Sequence, residues 1–152
     1  MGIEVVNRQR LVAIDRDELA RVAGGAILEI PMSDIRRSAG VSIAIVRSKQ
    51  MRRLNRLYRG KNMDTDVLSF PVGPGDAATP GPYLGDVVIC VDVALRQSSE
   101  AGLSIDREIA ELVIHGVLHL SGYDHEVDNG EMNRLERKLR RRLLDSYVRP
   151  AG

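Results

Sequence analysis

One hundred and fifty-two residues, 43% hydrophobic and 28% charged with a net charge of +1, describe a chain able to bury a real core. That balance excludes a disordered polymer, and no apolar run approaches the roughly 18 residues a membrane helix needs. The start lacks a basic region followed by an apolar one, Val6 stands where a myristoylation signal requires Ser or Thr, and Cys90 has no second cysteine to bridge. The expected location is therefore a reducing cytoplasm.

Ile3 to Val6 reads as a first short strand. Asp15 or Asp17 caps a helix to about Glu29, loosened at Gly24-Gly25 and ended by Pro31. Val41 to Val46 alternates with period two and is a second strand. Ser48 then caps a basic helix through Tyr58, with Met51, Leu54, Leu57 and Tyr58 as its buried stripe and Gly60 as its stop. A third strand spans Asp66 to Pro71, and a Pro- and Gly-rich loop follows to Pro82, long enough to border a site. Gly85 to Val91 is the fourth strand, and Asp92 caps a helix to about Ala101. Ser104 opens the most apolar helix, which ends near Ser121-Gly122. After Asp128-Asn129-Gly130 a last helix turns Met132, Leu135, Leu139, Leu143 and Leu144 inward and its arginines outward. Strands interleaved with helices predict one small sheet covered by helices, α+β or mixed α/β, as a single domain over residues 1–152; strand order is not legible.

The charge is unevenly spread. Arg47, Lys49, Arg52, Arg53, Arg56, Arg59 and Lys61 share one segment without an acidic residue, so +7 is concentrated there and the rest of the chain carries −6. A second basic cluster lies between Arg134 and Arg142. Either is a solvated helix face or the footprint of a polyanion. Aromatic residues, at 3% and without tryptophan, argue against a base-stacking platform of the RRM or OB type.

All three histidines fall within eleven residues. His115 and His119 stand at i and i+4, one above the other on a helix face. Gly122 lets the chain leave through a left-handed turn, and His125 can fold back to complete three nitrogens. Three imidazoles with an open fourth position are the pattern of catalytic zinc, although nickel, manganese and iron accept the same ligands. The spacing is that of the metzincin proteases, but Gly116 occupies the place of their general-base glutamate. Peptide hydrolysis is thereby disfavoured.

The stretch His115-Gly-Val-Leu-His-Leu-Ser-Gly-Tyr-Asp-His125 resembles the signature of the YbeY family of metal-dependent endoribonucleases, also called rRNA maturation factors. Asn55 through Arg59-Gly-Lys to Thr65-Asp-Val-Leu-Ser-Phe-Pro71, and Leu84-Gly-Asp-Val-Val-Ile89, extend the resemblance in order across about half the chain. Some members carry a further histidine one turn before the first ligand, where this chain has Glu111. The resemblance implies a single four-stranded mixed sheet covered by about five helices, with the metal-binding helix central. It also implies one Zn2+ held by His115, His119 and His125, and cleavage of single-stranded RNA with Arg59 linked to activity. The implied role is 16S rRNA 3′-end maturation, late small-subunit assembly and ribosome quality control, with the small ribosomal subunit and its assembly factors as partners and neither DNA nor membrane.

These assignments agree with elementary chemistry. Cleaving a phosphodiester needs charge stabilised on phosphorus, which a metal and a guanidinium supply, with His115 and Arg59 as the catalytic pair. Asp124 either orients a ligand histidine or caps its own turn. Glu111 is expected on the polar edge of its helix, and Asp66 and Asp86 at strand ends. The 47–61 cations, Arg59 among them, are the expected RNA contacts. A non-catalytic, metal-stabilised RNA-binding assembly factor is the alternative from another class; a zinc metalloprotease is the third.

Overall fold

The computed structural model describes residues 2–32, 40–72, 83–124 and 126–145. Four strands form one sheet: β1 (Ile3–Asn7), β2 (Gly40–Val46), β3 (Val67–Pro71) and β4 (Tyr83–Cys90), in the order β1-β2-β4-β3. The first two pairings are parallel and β3 runs antiparallel to β4. Among the described residues five helices surround it: α1 (Arg16–Glu29), α2 (Ser48–Arg59), α3 (Val91–Ala101), α4 (Ile105–Leu120) and α5 (Glu131–Leu143). This is the expected α+β class with a mixed sheet.

Period-two alternation divides the interior. Val41, Ile43 and Ile45 of β2, with Val87 and Ile89 of β4, face a large core shared with α1, α4 and α5. Val46, Val88 and Cys90 face a small second core closed by Met51 of α2 and Val93 of α3. A register shift sets Gly40 opposite Tyr83 but Val41 opposite Gly85, which inserts Leu84 as an extra residue. The insertion changes the parity, so Leu84 shares the large core with Val87 and Ile89.

Helix α1 runs unbroken through Gly24-Gly25, contrary to the expected loosening. A Cβ on Gly25 would lie 2.6 Å from Leu143, so the missing side chain is what lets α5 approach. Leu57 and Tyr58, expected inside, are 62% and 66% exposed. The second core is small, and α2 buries only Met51 and Asn55, with Leu54 at the margin. Strand β4 starts two residues earlier than expected, at Tyr83.

Both expected caps at the start of α2 and α3 are reassigned. Arg47 occupies the N-cap of α2 without a side-chain bond, while the Ser48 hydroxyl donates to Asp64. Cys90 is the N-cap of α3, and Asp92 instead accepts the Ser48 backbone N–H at 2.7 Å and the Arg47 guanidinium through both oxygens. Asp92 thus caps the neighbouring helix from outside. The hydrogen bond from Arg47 holds its carboxyl below the usual range against the opposing effect of burial, with the Ser48 N–H adding to the shift.

A depressed carboxyl contributes stability above its unfolded-state pKa, about 3.9, and loses that contribution as pH falls through the folded value. Melting temperature measured from about pH 6 down to about pH 3 is expected to fall more steeply for the natural chain than for Asp92→Asn. Parallel acid limbs for the two proteins would show that the cap carries no such linkage.

Candidate metal centre and nucleic-acid interface

Helix α4 starts at an N-cap, Ser104, whose hydroxyl accepts the Arg107 N–H, and it packs against α1, α3, α5, β3 and β4. A Cβ on Gly116 would lie 2.5 Å from Val87 Cγ1 and 3.4 Å from Ser69 Oγ, and the Ser69 hydroxyl donates to the Gly116 carbonyl at 3.1 Å. Val87 and Ser69 are register partners across β4 and β3, so the helix rests directly on that pair. Residue 116 therefore faces the sheet, and a glutamate has no room there.

His115 and His119 stand beside that contact, about 100° and 60° from Gly116 around the helix axis, and both border the cleft that Ser69 also lines. Their Nε2 atoms lie 3.1 Å apart, with the ring planes at 79°. His119 Nδ1 is 2.9 Å from the Tyr123 carbonyl. That carbonyl is brought back by the helix end: Gly122, at φ 101°, donates to the His119 carbonyl and Tyr123 N–H to the Leu118 carbonyl, a Schellman turn. His115 Nδ1 is 2.7 Å from Glu136 Oε1 of α5. Burial pushes the Glu136 carboxyl up, but the hydrogen bond and charge of His115, with Arg140 and His119, outweigh it and hold it below its ordinary range. An ionised carboxylate and a carbonyl only accept, so each Nδ1 carries a hydrogen, and in the neutral rings each Nε2 then presents its lone pair.

Two such lone pairs 3.1 Å apart repel unless a proton or a cation lies between them. Ligands 2.0–2.1 Å from one tetrahedral ion stand about 3.3 Å apart, close to the observed separation. The pair therefore fits a metal, with imidazoles oriented by a carboxylate and a carbonyl. His125, the expected third ligand, lies outside the described residues. Among the described residues no group of three or more His, Cys, Asp or Glu side chains gathers in a metal-holding arrangement.

The histidine pair opens into a cleft of about 510 Å3 that Arg59, Asp66, Ser69, Tyr123 and Asp124 also line. The fold brings Arg59 there because Gly60, at φ 68°, ends α2 and the buried Asn55 amide donates to the Met63 carbonyl at 2.9 Å, holding the turn that leads into β3. Asp124 accepts the Glu126 backbone N–H at 3.0 Å, the bond of a turn cap. Asp66 accepts the Val67 N–H and, through its other oxygen, the Gln97 amide.

A second depression, about 850 Å3, runs along α2 and is lined by Arg47, Lys49, Arg52, Arg53 and Arg56, together with Arg8 and Asn62, which sequence reasoning did not single out. Lys61 is exposed but borders neither space. Arg47 is compensated by Asp92; among the described residues Lys49, Arg52, Arg53 and Arg56 form no ion pair.

Glu136 is the principal contact missed. It is 8% exposed and lies four residues after Met132 and three before Leu139, on the apolar stripe of α5. A carboxylate inside such a stripe was the available signal. Arg140, expected outside, turns inward to Glu136 and Glu111, which removes Glu111 from the polar edge.

The family model for Endoribonuclease YbeY matches residues 4–145. The chain belongs to the YbeY family. A YbeY endoribonuclease of Nautilia profundicola is 43% identical over 68% of this chain and 71% of its own length, and one of Koribacter versatilis 42% over 76% and 75%. The Myxococcus xanthus YbeY is 48% identical over 65% of this chain, but the match spans 35% of that longer protein. A Thermotoga maritima protein solved in solution shares the fold at a TM-score of 0.63 and 23% identity, covering 94% of this chain and 89% of the other. Two of the three blocks that resemble YbeY meet at one cleft: the segment from His115 to Asp124, and Arg59 with β3 from the Asn55–Pro71 block.

Gly116→Ala is expected to destabilise the fold, since overpacking costs about 1–3 kcal/mol and the helix-propensity gain returns only about 1. Denaturant unfolding checks this, and a Val87→Ala background should reverse the sign. A Gly116→Ala chain more stable than its parent would show that α4 does not rest on Val87.

Proposed function

We propose that this chain is a metal-dependent endoribonuclease of single-stranded RNA. Its implied setting is 16S rRNA 3′-end maturation, late small-subunit assembly and ribosome quality control. One observation carries the reading: Arg59 and the converging His115 and His119 nitrogens border the same cleft in a member of an endoribonuclease family. No helix among the described residues is long and apolar enough to cross a membrane.

His115, His119 and His125 would hold the ion, with zinc as the proposed metal, since three imidazoles and an open position are the pattern of its catalytic sites. When bound, such an ion supplies a Lewis acid for a phosphoryl oxygen and makes water a better nucleophile. Arg59 presents a planar fork to two non-bridging oxygens and stabilises the charge that grows on them as the phosphorus becomes pentacoordinate. Glu136 and the Tyr123 carbonyl hold the two imidazoles in place. The groove along α2 receives the flanking strand through phosphate contacts, which position without reading sequence. Sequence choice then falls to the ribosomal context.

A digest of single-stranded RNA by the zinc-loaded chain, run beside His119→Ala and Arg59→Ala to exclude contaminating nuclease, tests the activity. His119→Ala is expected to lose both zinc and cleavage. Arg59→Ala should lose roughly 100-fold or more in turnover while RNA affinity changes less. Unchanged turnover with weakened binding would make Arg59 a binding residue only. Zinc-loaded chain that binds RNA and never cuts it would favour the non-catalytic assembly factor.

RNA affinity is expected to fall as salt rises. Arg52→Ala or Arg56→Ala should each lower the slope by about one, whereas Arg47→Ala leaves it nearly unchanged because Asp92 already compensates that charge. Equal effects at all three positions would contradict the groove assignment.

A further inference from the structure

Helices α4 and α5 are joined by two polar rungs. Glu136 Oε1 meets His115 Nδ1 at 2.7 Å, and one turn away Arg140 Nη1 meets Glu111 Oε1 at 3.1 Å. Within α5 the rungs are tied at i, i+4, Arg140 lying 3.5 Å from Glu136, and on α4 Glu111 stands one turn before His115. Arg107 adds a longer contact to Glu111 at 3.9 Å. Three of these groups, Glu111, Glu136 and Arg107, are at most 17% exposed at the side chain. Taking ionised side chains out of water is costly, and hydrophobic residues of the same size fill a helix interface at least as well. The rungs therefore call for a purpose beyond joining two helices. Their end point, a ring nitrogen of a candidate ligand, supplies one.

We propose that Glu136 is a positioning residue of the metal centre. It fixes the hydrogen of His115 on Nδ1, so that Nε2 is the donor atom, and holds the ring in the plane that points Nε2 at its His119 counterpart. Arg140, bridged to Glu111, holds Glu136 in turn. The assignment rests on the metal reading above and extends it to a residue on a different helix, 21 positions downstream of the ligand it serves. A carboxylate behind a ligating imidazole raises its basicity as well as setting its tautomer.

Two measurements on the natural chain, Glu136→Gln and Glu136→Leu test this. The first is the side-chain 15N spectrum of the metal-free proteins at alkaline pH, which reports the tautomer of each histidine. His115 is expected as the Nδ1–H form in the natural chain and as a mixture in Glu136→Leu, while His119, held by the Tyr123 carbonyl, stays Nδ1–H in both. The second is zinc affinity by competition with a chromogenic chelator. Glu136→Leu is expected to bind roughly 10–100-fold more weakly. Glu136→Gln, which keeps an acceptor without the charge, should fall between, and it preserves the test if the leucine variant does not fold. Variants that differ from the natural chain in melting temperature alone, with zinc affinity and the His115 tautomer unchanged, make Glu136 a strut between helices and overturn the proposal. A natural chain that binds no divalent ion removes the metal reading itself and this proposal with it. Tight zinc binding by all three proteins removes the proposal alone.

Discussion

Helix α4 can lie on strand β4 only because residue 116 has no side chain. With Val87 Cγ1 2.5 Å from where a Cβ would stand, any larger residue lifts the helix off the sheet. The contact fixes the rotation of α4 about its axis, and with it the direction of His115 and His119, which stand beside Gly116 and open into the cleft at the sheet edge. Ser69 adds directionality by donating to the Gly116 carbonyl from the neighbouring strand. Hence the same glycine that denies the chain a protease-type glutamate sets where its imidazoles point.

The cleft is assembled at the antiparallel edge of the sheet. Strand β3 is the last strand in the order, and the turn before it is pinned by the buried Asn55. The C-terminal end of α2, and Arg59 with it, is thereby delivered beside a helix that lies on the far face of the sheet. Upstream on α2, the arginines remain in solvent and form a groove of one sign, the arrangement that draws a polyanion toward a site.

Local relations were legible in the sequence and remote ones were not. The i, i+4 histidines, Ser104 and the Gly122 turn follow from helical geometry alone, and the structure places them as read. The class of the sheet followed from alternating strand patterns, but its order depends on pairings between distant segments. Asp92 was misread because a helix start shifted by two residues turns a self-cap into a cap for a neighbour. Leu57 and Tyr58 were misread because periodicity says which residues share a face and not how much sheet lies beneath it. Glu136 had a local anomaly, a carboxylate on an apolar stripe, but its partner sits on another helix. Arg59 entered through the family likeness, since nothing in its own neighbourhood separates it from six other cations.

The two rungs between α4 and α5 also impose a chronology on the molecule. The histidine pair is one helical turn long and arises as soon as that helix winds, a nanosecond-to-microsecond event. Its carboxylate belongs to a segment that leaves the synthesis machinery later, at residue 136, and must then dock across a loop. A chain interrupted before that point owns both imidazoles but lacks the carboxylate bonded to His115. On the proposed role of Glu136, the orientation of His115 therefore waits for α5 to be made and docked, since vectorial synthesis supplies the ligand helix first.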